Sequence, residues 1–427
     1  MGVKFIHTAD LHLGSNLHFK FDQKINYQNK FGNPILSSLK KIVNTALEEK
    51  VDFIIISGDL FDSNERSVNA VNFFNSEAER LKKANIPIYL ITGNHDPLKG
   101  DNRLFSINEN VKIFDSENFE IKNYTRNNEL KARLIGQSYR GNSDSRKMCN
   151  SFNPPDWGVF NIALLHTQLD PNNNNYVPCS IENLRERNNI DYWALGHIHQ
   201  NKIITANKPV IVYPGIPQGR NFGEKGKKGF YLVELTENKK PKLNFINSSK
   251  YIWQEINLKI SENKAIKTAD EIVEYIFSKT KELFIGKNFN YILRFNLVIN
   301  SINSTIINQK NEEIEEFIID ELNNSFDFDN KIWVEECNIV FKEKIPAKEK
   351  LQDEDEIFSK IINLRKEILN DEELFLELKE DLGDIWQGDN DLEKLDEFRF
   401  NINKEIEEIT EKAETEILKK MWEKRGE

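Results

Sequence analysis

The chain is short of cysteine. Cys149, Cys179 and Cys337 are its only three, scattered and without CxxC spacing. That pattern excludes a disulfide framework and suits a reducing compartment. Also missing is any apolar run near the roughly 20 residues that a membrane-spanning helix requires. Met1 to His7 run straight into a motif, so no secretory leader is expected and the cytoplasm is the expected location. Excess positive charge is absent too. The net charge is −11 over 427 residues, so bulk electrostatics does not advertise a polyanionic partner.

The charge is unevenly spread. Residues 346–427 hold 26 acidic and 14 basic side chains, a net −12, which leaves the remainder at +1. An acidic tail is a poor surface for a polyanion and a better one for a protein partner. In the near-neutral body, bound divalent cations and local basic clusters would have to supply any field that attracts phosphate.

The length suggests two or three domains. Five short apolar runs are Val3–Ala9, Val51–Ser57, Ile86–Thr92, Val159–Leu165 and Asp191–Leu195, each followed directly by Gly, Asp or His. Runs apolar on both faces suit strands buried in a layered sheet. Between the first two, Ile35, Leu39, Ile42, Val43, Ala46 and Leu47 have helical spacing; between the next two, Val71, Phe74, Ala78 and Leu81 do. The alternation predicts an α/β architecture with polar motifs at the strand ends, where open α/β sheets bind ligands.

Near Asn247 the texture changes. Tyr251–Ile260, Asn290–Asn300 and Lys331–Phe341 read as strands, and Ala265–Lys279 and Asn311–Leu322 as helices. From Pro346 onward the pattern is wholly helical. There Ile402, Ile406, Ile409, Ala413, Ile417 and Met421 form one apolar stripe. The stripe either docks a partner or packs on the chain's own helices, Ile357–Leu369 included. The expected division is therefore 1–245, an α/β domain that carries the motifs; 246–345, a small separate α+β domain; and 346–427, an acidic helical region suited to a protein partner.

Histidine is scarce as well, yet five of the seven fall inside short motifs. These are Asp10-Leu-His12, Gly58-Asp59, Gly93-Asn94-His95-Asp96, His166, and Gly196-His197-Ile198-His199. Histidine is the commonest metal ligand, and carboxylate balances the charge. Residues two apart at a strand end point the same way, which makes Asp10/His12 and His197/His199 natural pincers. The carboxylate of Asp59 can bridge two cations, and Asn94 offers a neutral amide oxygen. Asp10, His12, Asp59, Asn94, His166, His197 and His199 are thus candidate ligands for two divalent ions, the equipment of a phosphoester hydrolase.

One Asp-x-His alone is more often an accident. Five such blocks in order, each after a strand, are not. His95 directly follows a ligand and should reach substrate. Asp62, three residues after Asp59, is the carboxylate placed to hold the His95 imidazole in one tautomer and raise its pKa. His7 is out of phase with Asp10 and reads as buried and structural, while His18 reads as a loop residue. Basic residues cluster at Arg220, Lys225, Lys227 and Lys228, and again at Arg140, Arg146 and Lys147. Arg220 is the foremost candidate for a DNA or phosphate contact, with Lys225 and Lys227 beside it.

These blocks resemble the calcineurin-like metallophosphoesterases, whose fold is a β-sandwich flanked by helices. His7-Thr-Ala-Asp10-Leu-His12-Leu-Gly14 and Ser57-Gly-Asp59-Leu-Phe-Asp62 are similar to the DNA repair exonuclease branch. Tyr213-Pro-Gly-Ile-Pro-Gln-Gly-Arg220, with Gly223-Glu224 and Gly229–Glu234, narrows the likeness to the SbcD/YhaO-type family. The resemblance spans about residues 1–235. It implies the same seven ligands, a catalytic His95, manganese as the activating ion, and a capping domain that shapes DNA access. It also implies a coiled-coil ATPase partner of the SbcC or YhaN kind, and leaves a homodimer open. Asp62 stands where the archaeal and eukaryotic nucleases of this branch often carry histidine, so leaving-group chemistry can differ in detail. The expected function is a two-metal DNA nuclease acting beside an ATPase in repair or defence. The alternatives are a small-substrate phosphoesterase and a non-catalytic scaffold that binds DNA ends.

Overall fold

A computed structural model describes residues 2–20, 30–62, 67–98, 106–155, 158–237, 240–260, 266, 268–287, 289–300, 311–326, 332–342, 348, 351–352, 355–382 and 402–425. Each of the five apolar runs is a strand: β1 (Gly2–Thr8), β2 (Phe53–Ser57), β3 (Ile88–Ile91), β7 (Phe160–His166) and β8 (Tyr192–Gly196). The first sheet has the order β12 (Lys242–Asn247), β11 (Gly229–Thr236), β1, β2, β3, β4 (Val111–Ile113). The second runs β5 (Glu120–Arg126), β6 (Glu129–Gly136), β7, β8, β10 (Val210–Tyr213), β9 (Lys202–Thr205).

The two sheets form a sandwich. Phe5, Phe53, Ile55 and Ile91 of the first pack with Leu134, Ile162, Leu164 and Tyr192 of the second. Alternate residues point the other way: Ile54 and Ile56 join Ile42, Val43, Phe74 and Leu81 of helices α1 (Pro34–Glu48) and α2 (Val68–Lys83). Covered on both faces, the strands need no polar alternation, which is why they read as continuous apolar runs. Both helices start at a side-chain cap, Asn33 Oδ1 accepting from Leu36 N–H (3.0 Å) and Ser67 Oγ from Ala70 N–H (3.1 Å). A third layer, against the outer face of the second sheet, contains Tyr139, Phe152, Leu165 and Trp193. There Cys149 and Cys179 lie side by side as free thiols.

The β5–β6 hairpin has no counterpart among the expected strands. Lys122, Asn123 and Arg126 make β5 polar on both faces, and only Asn127 and Asn128, at φ 56° and 62°, mark the turn.

β13 (Tyr251–Ile260), β14 (Asn290–Asn300) and β15 (Ile332–Lys342) form a separate three-stranded sheet in that order, with α4 (Ala269–Phe284) and α5 (Asn311–Ser325). A short α3 (Ile181–Arg185) precedes β8. The chain divides into two compact units: 1–258 with 268–297 and 306–340, and 259–267 with 298–305 and 341–427. Among the described residues no helix is long and apolar enough to cross a membrane.

The second unit is helical: α6 (Glu356–Asn370), α7 (Glu372–Leu382) and α8 (Ile402–Arg425). Its core joins Leu351, Phe358, Ile362 and Leu418. The apolar stripe of α8 is divided. Ile406 is fully buried, whereas Ala413 and Ile417 are exposed and the Ile402 side chain lies outside the described residues. The buried face continues instead through Glu414, whose carboxylate takes Lys348 Nζ at 2.6 Å and Arg365 Nη1 at 3.4 Å. Ile406→Asp should therefore lower stability by about 4 kcal/mol or more, because it buries an unpaired charge. Ile417→Asp, at 47% exposure, should stay within about 0.5 kcal/mol. Thermal melts followed by helical circular dichroism compare the two; equal losses would contradict the division of the stripe.

Candidate metal centre

The motif loops meet because the strands before them are parallel. β1, β2 and β3 run the same way in one sheet and β7 and β8 in the other. Their carboxyl ends gather at one edge of the sandwich. Beyond the strand ends Asp10 N–H still donates to Gly58 O (3.0 Å) and His12 N–H to Asp59 O (3.1 Å). Asp10, His12, Asp59 and His197 have φ of 52°, 45°, 50° and 98°. Such left-handed geometry costs on the order of 1–3 kcal/mol per residue, and it persists where the surrounding fold imposes it. Gly58 is required: at φ +97° a Cβ there would lie 2.2 Å from His166 Nδ1. At Gly196 a Cβ would lie 1.9 Å from Ser57 O.

All seven candidate ligands converge. His12 Nε2 and His199 Nε2 face each other at 3.2 Å, with Asp59 Oδ2 4.0 Å from His12 Nε2. The ligand atoms of Asp10, His12 and His199 lie within 4.8 Å of one another, as do those of Asp10, Asp59 and His166 and those of His12, Asp62 and His95. Asn94 Oδ1 sits 3.1 Å from both His166 Nε2 and His197 Nδ1, and His166 Nε2 is 3.4 Å from Asp59 Oδ2. Facing ring nitrogens repel as lone pairs unless a proton or a cation lies between them. The set therefore fits divalent ions. With only nitrogen and oxygen donors it suits manganese, iron or zinc better than a thiophilic metal.

A surrounding shell fixes the imidazoles. His166 Nδ1–H donates to Ser57 O at 2.9 Å, which leaves Nε2 toward the cluster. His199 Nδ1–H donates to Glu224 Oε1 at 2.8 Å, which does the same. Glu224 in turn accepts from Arg220 N–H (2.7 Å) and Arg220 Nη2 (2.8 Å). The sequence offered Glu224 only as part of a motif. Its sole signal is the i, i+4 spacing from Arg220. Lys228 Nζ, buried, donates to His199 O at 3.2 Å, and the Tyr176 ring packs 4.6 Å from the His197 ring. Asp96 seals the loop below, accepting from Leu60, Phe61 and Gly93 N–H. His7, fully buried, bonds Tyr192 Oη (2.9 Å) and Leu195 O (3.1 Å), a structural histidine.

The proposed substrate-side residues are placed as follows. His95 lies at the edge of the cluster, its side chain 38% exposed and its ring 4.8 Å from that of His12. Its N–H donates to Asp59 Oδ1 at 2.9 Å, tying it to the central carboxylate. The carboxylate of Asp62 is shared among Arg220 Nη1 (3.5 Å), His12 Nδ1 (3.7 Å) and His95 Nδ1 (4.0 Å), with none of these a direct hydrogen bond. The Arg220 side chain is only 12% exposed and committed to Glu224. Lys225 pairs with Glu255, and Lys227 Nζ stands 4.7 Å from the centre of the Phe289 ring. Arg146 is bound by Asp144 and the Ser116 and Ser138 carbonyls, so it belongs to the fold.

Burial and mutual charge set the protonation of the metal-free cluster. Burial raises Asp10 to about 6, and the charges of His166 and His199 oppose it. Burial would lower His166, but the neighbouring Asp59 carboxylate outweighs it and holds the imidazole at about 9. Burial would raise Asp59, and His166 more than reverses that. Burial takes His197 down to about 3, ready as a neutral ligand. A metal ligand must be deprotonated. Metal loading should therefore expel protons, from His166 at pH 8 and in growing number toward lower pH as His199, which is also raised, and Asp10 add theirs. Calorimetry in two buffers of different ionisation enthalpy measures this. Loading without proton release would contradict His166 as a ligand.

Adjoining carboxylate–imidazole clusters at the strand ends of a helix-flanked sandwich are candidate sites for divalent ions, the equipment of a metal-dependent phosphoester hydrolase. The sequence pattern of the calcineurin-like phosphoesterase family matches residues 3–201. The metallophosphoesterase YhaO of Bacillus subtilis, itself described as uncharacterized, is 32% identical over 282 residues, which cover 66% of this chain and 69% of that protein. The chain belongs to the calcineurin-like metallophosphoesterase family, whose members hydrolyse phosphoesters with divalent metals. The DNA double-strand break repair protein Mre11 of Methanocaldococcus jannaschii is 28% identical over 249 residues, 55% of this chain and 63% of that one. The chain thus spans less than two thirds of this relative. A solved dimetal phosphatase from Danio rerio is 11% identical with a TM-score of 0.34, covering 58% of this chain and 96% of that one.

Proposed function

We propose that the chain is a two-metal DNA nuclease. In this reading Asp10, His12, Asp59, Asn94, His166, His197 and His199 hold two divalent ions, manganese in the first place. The observation that carries the reading is the convergence of all seven side chains, with His12 and His199 Nε2 facing at 3.2 Å and Asn94 Oδ1 midway between two further histidines. When bound, the ions supply Lewis acidity to the phosphoryl oxygens and lower the pKa of an attacking water.

The chain's own residues do the rest. Asp59 stands between the two imidazole groups and anchors the His95 backbone. The His95 imidazole, open to solvent beside the cluster, is placed to stabilise charge on the phosphoryl oxygens and to pass a proton to the leaving alkoxide. Asp62 Oδ1 stands 4.0 Å from His95 Nδ1, and Arg220 Nη1 stands 3.5 Å from the other oxygen of that carboxylate. Glu224 and Ser57 fix the tautomers of His199 and His166.

DNA as substrate is supported by the repair-protein relatives and by the additional three-stranded and helical regions, which a small phosphoester would not need. A coiled-coil ATPase of the SbcC or YhaN kind is the partner this reading carries, received by the acidic segment 346–427. The test is digestion of linear duplex and single-stranded DNA against a chromogenic phosphodiester, with and without manganese. The reading requires manganese-dependent loss of DNA. Turnover of the chromogenic diester alone would favour a small-substrate phosphoesterase, and binding without turnover a scaffold.

A further inference from the structure

A cavity of about 360 Å³ opens where α4 turns back into β14. The helix stops at Phe284, and Gly286, at φ +73°, reverses the chain. The turn leaves Ile285 83% exposed, and Phe284, Phe289 and Tyr291 line the cavity wall. Phe284 and Tyr291 lie 4.4 Å apart at 58°, with Phe289 6.5 Å beyond Tyr291. Phe326 lines the same space and packs on Phe277. Three lysines stand over these rings: Lys227 at 4.7 Å from Phe289, Lys287 at 4.9 Å from Phe284 and Lys281 at 4.2 Å from Phe277.

Flat apolar rings edged by cations match one chemistry well. A nucleobase offers a π-face to the rings while its phosphates meet the ammonium groups. The volume lies in the range of small-ligand pockets. The cavity is also joined to the metal centre by one short loop. Lys228 Nζ bonds His199 O at 3.2 Å, and its neighbour Lys227 reaches Phe289. Two consecutive residues, Lys227 and Lys228, thus link the backbone of the His199 loop to an aromatic ring of the cavity wall.

We propose that this cavity takes an unpaired base of the DNA strand whose backbone crosses the metal centre, an inference that rests on the nuclease reading. It would set where a single-stranded end is held relative to the cut. The test uses the metal-loaded full chain and short oligonucleotides with cleavage-resistant phosphorothioate linkages, so that the strand stays intact, carrying 2-aminopurine at successive positions. Wild-type protein should bind them and quench the probe at one position. Phe289→Leu, checked for unchanged metal content and melting temperature, should bind roughly ten-fold more weakly and lose the quench. Lys287→Ala should weaken binding and keep the quench at saturation.

Binding and quenching by Phe289→Leu equal to wild type would overturn the proposal, as would a cavity that serves an apolar side chain of a protein partner and so leaves oligonucleotide binding untouched. If wild type cuts single strands with no quench at any position, the cavity assignment fails and the nuclease reading stands. Should wild type neither bind nor cut them while hydrolysing the chromogenic diester, both fail.

Discussion

Asp59→Ala should abolish hydrolysis and strip the metals, whereas His95→Ala should keep both ions and lose about 10²–10⁴-fold in rate. The contrast follows from position. The Asp59 carboxylate lies 3.4 Å from His166 Nε2 and 4.0 Å from His12 Nε2, between the two groups of imidazoles. Removing it leaves each group without its shared anion. His95, by contrast, stands at the edge of the cluster, its backbone N–H on Asp59 and its part-exposed ring 4.8 Å from that of His12. Elemental analysis and turnover of a chromogenic diester separate the two roles. A His95→Ala protein as empty of metal as Asp59→Ala would remove His95 from the substrate side.

The second large effect is expected at Glu224. Glu224→Ala deprives His199 Nδ1–H of its acceptor at 2.8 Å and leaves the Arg220 guanidinium, 12% exposed, without its main partner. Loss of such an outer-shell carboxylate typically lowers metal affinity 10–100-fold. Glu224→Gln keeps an acceptor oxygen for His199 and should lose less. Manganese titrations followed by electron paramagnetic resonance give the affinity directly, independent of turnover. Equal affinity in wild type and Glu224→Ala would show that His199 needs no support.

The difference between Asp59 and Glu224 explains what the sequence discloses. Asp10, His12, Asp59, His166 and His197 stand directly after apolar strands, and chemistry at a strand end is legible from order alone. Glu224 acts from a single 3₁₀ turn, Phe222–Glu224, in a loop with no periodicity. Nothing but the fold reveals which histidine it meets. The same holds for Asp62. Its spacing from Asp59 suggested a partnership with His95, and the structure divides its carboxylate among His95, His12 and Arg220. Spacing makes Arg220 a candidate phosphate contact but cannot show that Glu224 holds its guanidinium. Among the strands, β1, β2, β3, β7 and β8 were legible as buried runs. β5 was not, because one of its faces is solvated and its side chains are polar. The α8 stripe was read as one face, yet its register places Glu414 in the core and Ile417 in solvent.

The proposed nuclease centre should hold two ions, one at His12 and His199 and one at His166 and Asn94. Anomalous diffraction from crystals grown with manganese tests it most directly. Two peaks about 3.5–4 Å apart are expected, with Asp59 touching both and Asp62 touching neither. A single peak, or a second one held by Asp62 and His95, would contradict it.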